Sequence, residues 1–213
     1  MNASRDFRGR KRQGTRKAIS DAAIKLFLNH GFDQVSVADI ATMARVSKPT
    51  LFKYFRTKEE LVVHQIAEQR TLSCTVVAGR PPGMSAIGAL YQHFLDGLAD
   101  RDAITGLNDD PGVVAFYSLV YSTPRLVERA NLYLAQAEEP LAGTLVDALD
   151  PGTREITGAL LAGQVIVTER ALASANWQRI AAGRSADELY PEAVDDAHHA
   201  FSLLRHCVAG IAP

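Results

Sequence analysis

The chain has 213 residues, enough for one or two domains, and 47% of them are hydrophobic and 22% charged, as in ordinary globular proteins. No apolar run reaches the length of a transmembrane helix, and the basic N-terminus lacks the apolar segment of a signal peptide. Two cysteines do not suggest a disulfide framework. These features predict a cytoplasmic protein with no membrane partner.

Charge is distributed unevenly along the chain. Residues 1–60 hold 13 Lys and Arg against 6 Asp and Glu, a net of +7, and residues 61–213 hold 10 against 18, a net of −8. A basic N-terminal part on an acidic remainder is typical of a nucleic-acid-binding head. The basic run at residues 8–12 is either a solvated tail or a disordered arm that lies along phosphates, and we expect both to hold.

The first predicted helix spans about residues 13–30 and ends at Gly31. Ser36, with Asp39 three residues later, predicts a capped helix over residues 37–43. After a tight turn, Ser47 caps another short helix, whose first turn accommodates a proline. Leu51 and Phe55 are four residues apart and should face a core, which leaves an outer surface of Lys48, Pro49, Thr50, Phe52, Lys53 and Tyr54. A short helix with this surface suits the major groove of DNA.

The next helix is predicted to begin at the run T-K-E-E, residues 57–60, which reads as a capping box. Lys58 lies at the positive end of that helix and is a candidate phosphate contact. The helix should extend to about Val77 and connect the head to a second domain. The predicted domains are therefore residues 1–57 for the head with its basic arm, 58–78 for the linking helix, and 79–213 for the remainder.

Four motifs carry a resemblance to a known family. They are F-L-N-H-G-F at residues 27–32, S-V-A-D-I-A at 36–41, V-S-K-P-T-L-F-K-Y-F at 46–55 and T-K-E-E-L at 57–61. In this order and spacing they resemble the DNA-binding domain of the TetR family of transcriptional regulators. The resemblance implies an all-α fold of about nine helices, a homodimer, and a C-terminal ligand-sensing domain. It also implies that a small molecule releases the dimer from its operator.

Two positions depart from the family pattern. Arg45 occupies a turn position that is usually glycine, which costs about 1 kcal/mol if the backbone there is left-handed. Phe52 replaces a frequent tyrosine and removes a hydroxyl contact to the DNA backbone. The predicted groove contacts are Lys48, Thr50, Lys53 and Tyr54, beside Pro49 and Phe52. The predicted phosphate contacts are Arg16, Lys17, Ser36, Arg45 and Lys58.

The rest of the chain is predicted to be helical. Helices are expected at about residues 86–99, 111–121, 125–149, 151–182 and 192–208, with Pro140 kinking or splitting the third of these. The last two are candidates for the dimer interface, through Gly158, Ala159, Ala162 and Gly163 with apolar neighbours, and through Phe201, Leu204 and Val208. Packing inside one chain is the alternative reading of the same residues.

An effector pocket is predicted from aromatic side chains with a few polar groups, which suit a mostly apolar ligand. The candidates are Phe94, Phe116, Tyr117, Tyr121, Tyr133, Gln164 and Thr168; plain core packing is the alternative for each. A histidine stripe, Asp195, His199 and His206, lies on one helical face, but two turns separate the histidines, so we predict no metal site and no cofactor.

The sequence therefore predicts an all-α protein with a helix-turn-helix head and a C-terminal ligand-binding and dimerisation domain. The predicted function is a transcriptional repressor that binds a palindromic double-stranded DNA operator and responds to a small effector. A ligand-dependent activator is the first alternative. A small helical enzyme and a non-specific DNA organiser are further alternatives, but no catalytic motif supports an enzyme.

Overall fold

The computed structural model describes residues 3–68, 72–149 and 152–209, and within them the side chains of 12–64, 72–149 and 152–205. Every regular element in these ranges is a helix, and no strand occurs in them. The ten helices are α1 (Ala3–His30), α2 (Val37–Met43), α3 (Lys48–Tyr54), α4 (Glu60–Glu68), α5 (Leu72–Ala78), α6 (Ala86–Ala99), α7 (Pro111–Ser122), α8 (Pro124–Ala148), α9 (Glu155–Ala181) and α10 (Ala186–Ala209). The predicted all-α class is confirmed.

Contacts divide the chain into two compact units. The first contains residues 1–65 and 115–130, and the second contains residues 66–114 and 131–213. The boundaries therefore fall within α4, α7 and α8, and the predicted limits at residues 57 and 78 stay predictions. The predicted linking helix corresponds to α4 and α5, between which residues 69–71 lie outside the described part.

The first unit has its core where α1 to α4 meet. Its most buried side chains, at most 1% exposed, include Ile19, Phe27, Ile40, Leu51 and Phe55. The burial of Leu51 and Phe55 confirms the core face that their spacing predicts. Burying side chains of this size stabilises the fold by about 1.5–3 kcal/mol each before entropy is counted. This core fixes the positions of α2 and α3, on which the candidate site depends.

The second unit is built on α6, α9 and α10. Leu90 and Leu98 of α6, Val165 of α9, and Ala197 and Phe201 of α10 are completely buried in one apolar cluster. The helices can approach closely because small residues lie at the crossings. At Gly158, for example, a Cβ atom would come within 2.6 Å of the Ala142 carbonyl oxygen of α8.

Several predicted boundaries are corrected. Helix α1 begins at Ala3, so the basic run at residues 8–12 is helical and not a disordered arm. Helix α8 passes Pro140 without being split. Helix α9 begins at Glu155, not at Pro151, and α10 begins at Ala186, ahead of the predicted start at residue 192.

The sequence analysis expected no segment long and apolar enough to cross a membrane, and α9 departs from that expectation. By length and composition alone it is long and apolar enough to cross a membrane. Its apolar side chains are found on two opposite faces: Ala162 and Val165 are buried in the core of the second unit, whereas Leu160 and Val167 are more than half exposed. The high apolar content of α9 therefore reflects one internal face and one outward face.

Candidate nucleic-acid interface

The N-terminus of α2 is fixed by a reciprocal capping box. The backbone N–H of Asp39 donates to Ser36 Oγ at 3.2 Å, and the backbone N–H of Ser36 donates to Asp39 Oδ2 at 2.9 Å. The Ser36 hydroxyl also donates to the same carboxylate at 2.6 Å. These hydrogen bonds hold the pKa of Asp39 below its ordinary value. The predicted capping residues are therefore confirmed, and α2 has a rigid start.

The turn between α2 and α3 is left-handed at Arg45, where φ is +54°. Its backbone N–H donates to the Thr42 carbonyl at 3.1 Å, and the Val46 N–H donates to the Ala41 carbonyl at 2.9 Å. These bonds satisfy the last carbonyls of α2, as in turns that usually contain glycine. The structure thus confirms the condition under which Arg45 carries a strain of about 1 kcal/mol.

Helix α3 is anchored at both ends. The Ser47 hydroxyl accepts from the Thr50 backbone N–H at 3.2 Å and lies 2.8 Å from Thr50 Oγ1. Leu51 and Phe55 are each 1% exposed and fasten the inner side of the helix to the head. The Arg16 guanidinium of α1 lies over the Phe55 ring, 5.3 Å from its centroid. The helix is therefore held in one orientation by a cap, two buried side chains and a cation–π contact.

The outer surface of α3 contains the side chains that the sequence assigned to it. Lys48, Pro49 and Lys53 are exposed, Phe52 is 50% exposed, and Thr50 and Tyr54 are half-buried. Phe52 therefore places an apolar ring beside two lysines on this surface. The surface thus combines hydrogen-bond donors with an apolar ring, both of which can read base edges in a major groove.

Lys58 is oriented toward the inside of the head. Its ammonium donates to the Phe32 carbonyl and lies 4.4 Å from the Phe32 ring centroid and 5.4 Å from that of Phe27. Burial lowers the pKa of Lys58. Because an ammonium has three donors, this arrangement leaves two for a phosphate, and the predicted contact stays a prediction.

The other predicted phosphate contacts lie on α1. Lys17 is exposed and pairs with Asp21 at 2.7 Å, a helical i,i+4 pair. Arg16 is half-buried against Phe55, as described above. A DNA phosphate would compete with Asp21 for Lys17 at small cost, since exposed ion pairs contribute about 0–1 kcal/mol.

The predicted effector residues are divided between the two units, and the pocket they were predicted to form stays a prediction. Phe116, Tyr117 and Tyr121 belong to the first unit. The ring centroids of Phe116 and Tyr117 are 5.4 Å apart, and those of Tyr117 and Tyr121 are 6.2 Å apart. In the second unit, Phe94 is buried against the core, and Tyr133 and Thr168 are half-buried. Gln164, also of the second unit, is exposed.

Sequence reasoning missed one residue of the second unit, Glu169. It follows Thr168 in α9 and falls on the same helical face as buried Ala162 and Val165. Burial raises the pKa of Glu169 to about 7. Spacing in the sequence could have identified it. Glu169 follows Ala162 by seven residues and Val165 by four, so it lies on the same helical face as these two core residues.

The predicted dimer residues are partly corrected. Gly158, Ala162, Phe201 and Leu204 are buried within the chain and are not available to a partner. The other predicted residues of α9 include an exposed face, with Ile156 at 52%, Leu160 at 60% and Val167 at 52%, and Gly163 lies there in open space. Val208 lies outside the described side chains.

The histidine stripe does not gather a ligand set among the side chains that the structure describes. Asp195 and His199 are exposed, and His206 lies outside the described side chains. No group of three or more His, Cys, Asp or Glu residues in the described ranges could hold a metal ion.

Together, the capped α2, the left-handed turn and the anchored α3 define a helix-turn-helix protein of the bacterial regulator type. Residues 19–64 match the family described as "Bacterial regulatory proteins, tetR family". Residues 19–64 therefore carry the DNA-binding domain of the tetR family. Repression, dimerisation and response to a ligand are typical of that family.

Comparison with individual proteins gives the same assignment. The chain is 49% identical to the transcriptional regulator MftR of Mycobacterium tuberculosis over 53 residues, 25% of this chain and 27% of MftR. It is 30% identical to TcmR of Streptomyces glaucescens over 134 residues, 62% of this chain and 58% of TcmR. The chain thus spans about a quarter to three fifths of these two relatives.

A solved structure extends the similarity of fold to both units. NalD of Pseudomonas aeruginosa, a repressor of the MexAB-OprM multidrug efflux pump, aligns over 88% of this chain and 97% of its own. The TM-score is 0.54 and the sequence identity 19%, which establishes the fold alone.

Proposed function

We propose that the protein is a sequence-specific DNA-binding transcriptional regulator, and that it acts as a repressor on a palindromic operator. The observation that carries this proposal is the outer surface of α3. A seven-residue helix is about 10 Å long, and a B-DNA major groove is about 12 Å wide. The surface is exposed, bears two lysines and a phenylalanine, and belongs to a helix whose orientation is fixed from the inside.

The side chains of α3 suggest separate roles in the groove. Lys48 and Lys53 can donate to guanine O6 and N7, and Thr50 and Tyr54 carry hydroxyl groups that can donate or accept. Phe52, being half exposed and apolar, suits a thymine methyl group. Contacts of this kind would provide sequence preference, which phosphate contacts alone do not.

Phosphate contacts would come from residues around α3. We propose Arg16 and Lys17 of α1, Ser36 at the start of α2, Arg45 in the turn, and Lys58 before α4. The four charged residues among them are part of the net +7 of residues 1–60, which favours association with DNA and makes affinity depend on salt.

Dimerisation is proposed through α9 and α10, because α9 has an exposed apolar face. Ile156, Leu160 and Val167 lie four and seven residues apart along one side of the helix, and Gly163 would allow close approach. Leu203 of α10 is 56% exposed and would extend the same surface. A twofold dimer presents two heads to two half-sites, so its operator should be palindromic.

The proposed effector is a small, mostly apolar molecule bound by the second unit. Its candidate contacts are Phe94 of α6, Tyr133 of α8 and Thr168 of α9, which are buried or half-buried. Effector binding would release the operator with a coupling of about 1–3 kcal/mol, as is typical of such links. An activator differs only in the sign of this coupling.

The proposal is tested by selecting bound sequences from random duplex DNA with the purified protein at physiological salt. We expect a palindrome with half-sites spaced by a helical turn or more to be enriched. A folded dimer that enriches no motif, or binds all duplexes equally, would contradict a sequence-specific regulator and would favour a non-specific DNA organiser.

A further inference from the structure

The carboxylate of Glu60 connects two separate segments of the first unit. Its Oε2 atom accepts from the Arg56 backbone N–H at 2.7 Å, and its Oε1 atom accepts from the Arg129 guanidinium of α8. The Glu60 side chain is 15% exposed and that of Arg129 is 30% exposed. Water and salt screen such a pair less than one on the surface, and removing one partner leaves the other charge uncompensated.

Arg129 lies on a packed turn of α8. Leu126, three residues before it, is completely buried, and Ala130, the next residue, is 9% exposed. Residues 115–130 belong to the first unit, together with α1 to α3 and the start of α4. The guanidinium therefore reaches Glu60 from a backbone that is itself fixed, and it can hold the carboxylate in one place.

The Arg56 N–H that donates to Glu60 lies directly after the end of α3. Phe55, the residue before it, ends the helix in an extended conformation, with φ of −136° and ψ of 123°. Lys53 and Tyr54 belong to the last turn of the helix. A seven-residue helix has few backbone hydrogen bonds of its own, so its direction depends on what holds its ends. The bond to Glu60 adds a fixed point at the end that carries these two side chains.

We infer that Glu60 and Arg129 are positioning residues for DNA recognition, which fix the end of α3 without contacting DNA themselves. The inference rests on the proposed sequence-specific binding. Side chains that read bases must be placed to within about 0.5 Å, so a small rotation of α3 is enough to lose a contact. Operator affinity therefore depends on Arg129, although Arg129 belongs to α8 and not to the helix-turn-helix.

The signs of the two charges separate positioning from a direct electrostatic effect on DNA. If the charges acted on DNA directly, Glu60→Gln would strengthen binding and Arg129→Gln would weaken it. Positioning predicts that both variants bind the operator more weakly. Glutamine keeps the size of glutamate but has one oxygen and one NH2 group, so it cannot accept hydrogen bonds on both sides.

The test uses the full-length protein and the operator that the wild type selects. The variants are Glu60→Gln, Arg129→Gln, the two combined, and Arg129→Lys, which keeps the charge. Arg179→Gln is the control, because Arg179 is 29% exposed and forms ion pairs with Glu192 and Asp196 in the second unit. Affinities for the operator and for a scrambled duplex are measured where circular dichroism shows every variant to be folded, so that a loss of stability alone does not change them.

We expect Glu60→Gln and Arg129→Gln each to bind the operator about tenfold more weakly, and the combined variant to lose no more than either alone. Their affinity for the scrambled duplex should change much less. Arg129→Lys should keep most of the operator affinity, and the control Arg179→Gln should keep all of it.

The inference is overturned if Glu60→Gln binds the operator as tightly as the wild type or more tightly, or if the operator and the scrambled duplex lose affinity equally. Arg129→Gln gives an independent reading: if its operator affinity depends less steeply on salt, a phosphate contact has been lost and the inference is also overturned. These outcomes leave the selected operator intact, whereas failure of the wild type to select one rejects the proposed function itself.

Discussion

Glu169 should make the stability of the protein depend on pH. Its pKa is raised by burial from an ordinary value of 4.5 to about 7, so the folded state holds its proton more tightly than the unfolded state does. The free energy of unfolding should therefore fall as the pH rises from about 4.5 to about 7, by about 1–3 kcal/mol, and then stay constant.

Glu169→Gln lacks this titration. We expect its melting temperature to exceed that of the wild type at about pH 8 and the difference to shrink as the pH falls toward 5. Thermal unfolding across this range measures the effect. Melting curves that stay parallel at every pH would show that Glu169 is not desolvated.

Two arginines with left-handed backbones provide a matched pair. Arg45 and Arg101 have φ of +54° and +55°, but only Arg101 has described side-chain contacts, with the Leu98 carbonyl, Asp187 and the Tyr190 ring. Arg45→Gly should raise the free energy of unfolding by about 1 kcal/mol, because glycine relieves the backbone strain.

Arg101→Gly should relieve similar strain but lose three side-chain contacts, so we expect it to be neutral or destabilising. Denaturant unfolding of both variants measures the difference. Equal stabilisation of the two would mean that the Arg101 contacts contribute nothing. A loss of stability in Arg45→Gly would mean that Arg45 has a structural role.

At the level of helices, the sequence predicted best those elements whose ends have side-chain caps. Ser36 and Ser47 mark the starts of α2 and α3, Ser85 accepts from the Gly88 N–H at the start of α6, and Asp110 accepts from the Gly112 N–H at the start of α7. A cap is a local hydrogen bond, so it can be predicted without knowledge of the fold.

The predicted starts of α9 and α10 are wrong, and for α9 the proline at residue 151 was taken as the first helical position. For α10, Ser185 and Glu188 mark the observed start. The Ser185 N–H donates to Glu188 Oε2 and the Glu188 N–H donates to Ser185 Oγ, both at 3.3 Å. This capping box precedes Pro191, which the helix includes. Packing against the core of the second unit stabilises α10 by more than the hydrogen bond lost at the proline destabilises it.

The exposed face of α9 predicts a dimer that a single charge disrupts. Leu160→Glu places a carboxylate at the most exposed of its apolar positions, where a partner helix would bury it unpaired. We expect the variant to be monomeric at concentrations where the wild type is dimeric, as measured by analytical ultracentrifugation.

Leu132→Glu is the matched control, since Leu132 is 48% exposed but belongs to α8 and not to α9. It should leave the dimer intact. A dimeric Leu160→Glu would show that the exposed face of α9 is not the interface, and a monomeric Leu132→Glu would place the interface on α8.

At the scale of the whole chain, the division into units could not be predicted from local pattern. Residues 115–130 belong to the first unit, where Arg129 forms an ion pair with Glu60, 69 positions earlier in the chain. The pKa of Glu60 lies below its ordinary value. Burial raises this pKa, but hydrogen bonds from the Arg56 backbone N–H and from Arg129 lower it by more. Such pairs depend on tertiary structure and have no signature in sequence spacing.

The central claim is that the outer surface of α3 reads DNA sequence while residues around it hold phosphates. The most direct measurement compares Lys53→Ala with Lys58→Ala, by sequence selection and by titration of the selected operator at several salt concentrations. Lys53→Ala should change the preferred base at one position of each half-site, because a base contact is lost.

Lys58→Ala should keep the wild-type motif, weaken binding to all duplexes similarly, and reduce the slope of log affinity against log salt by about one. A motif that is unchanged in Lys53→Ala, or the same behaviour in both variants, would contradict the division of roles between α3 and its surroundings.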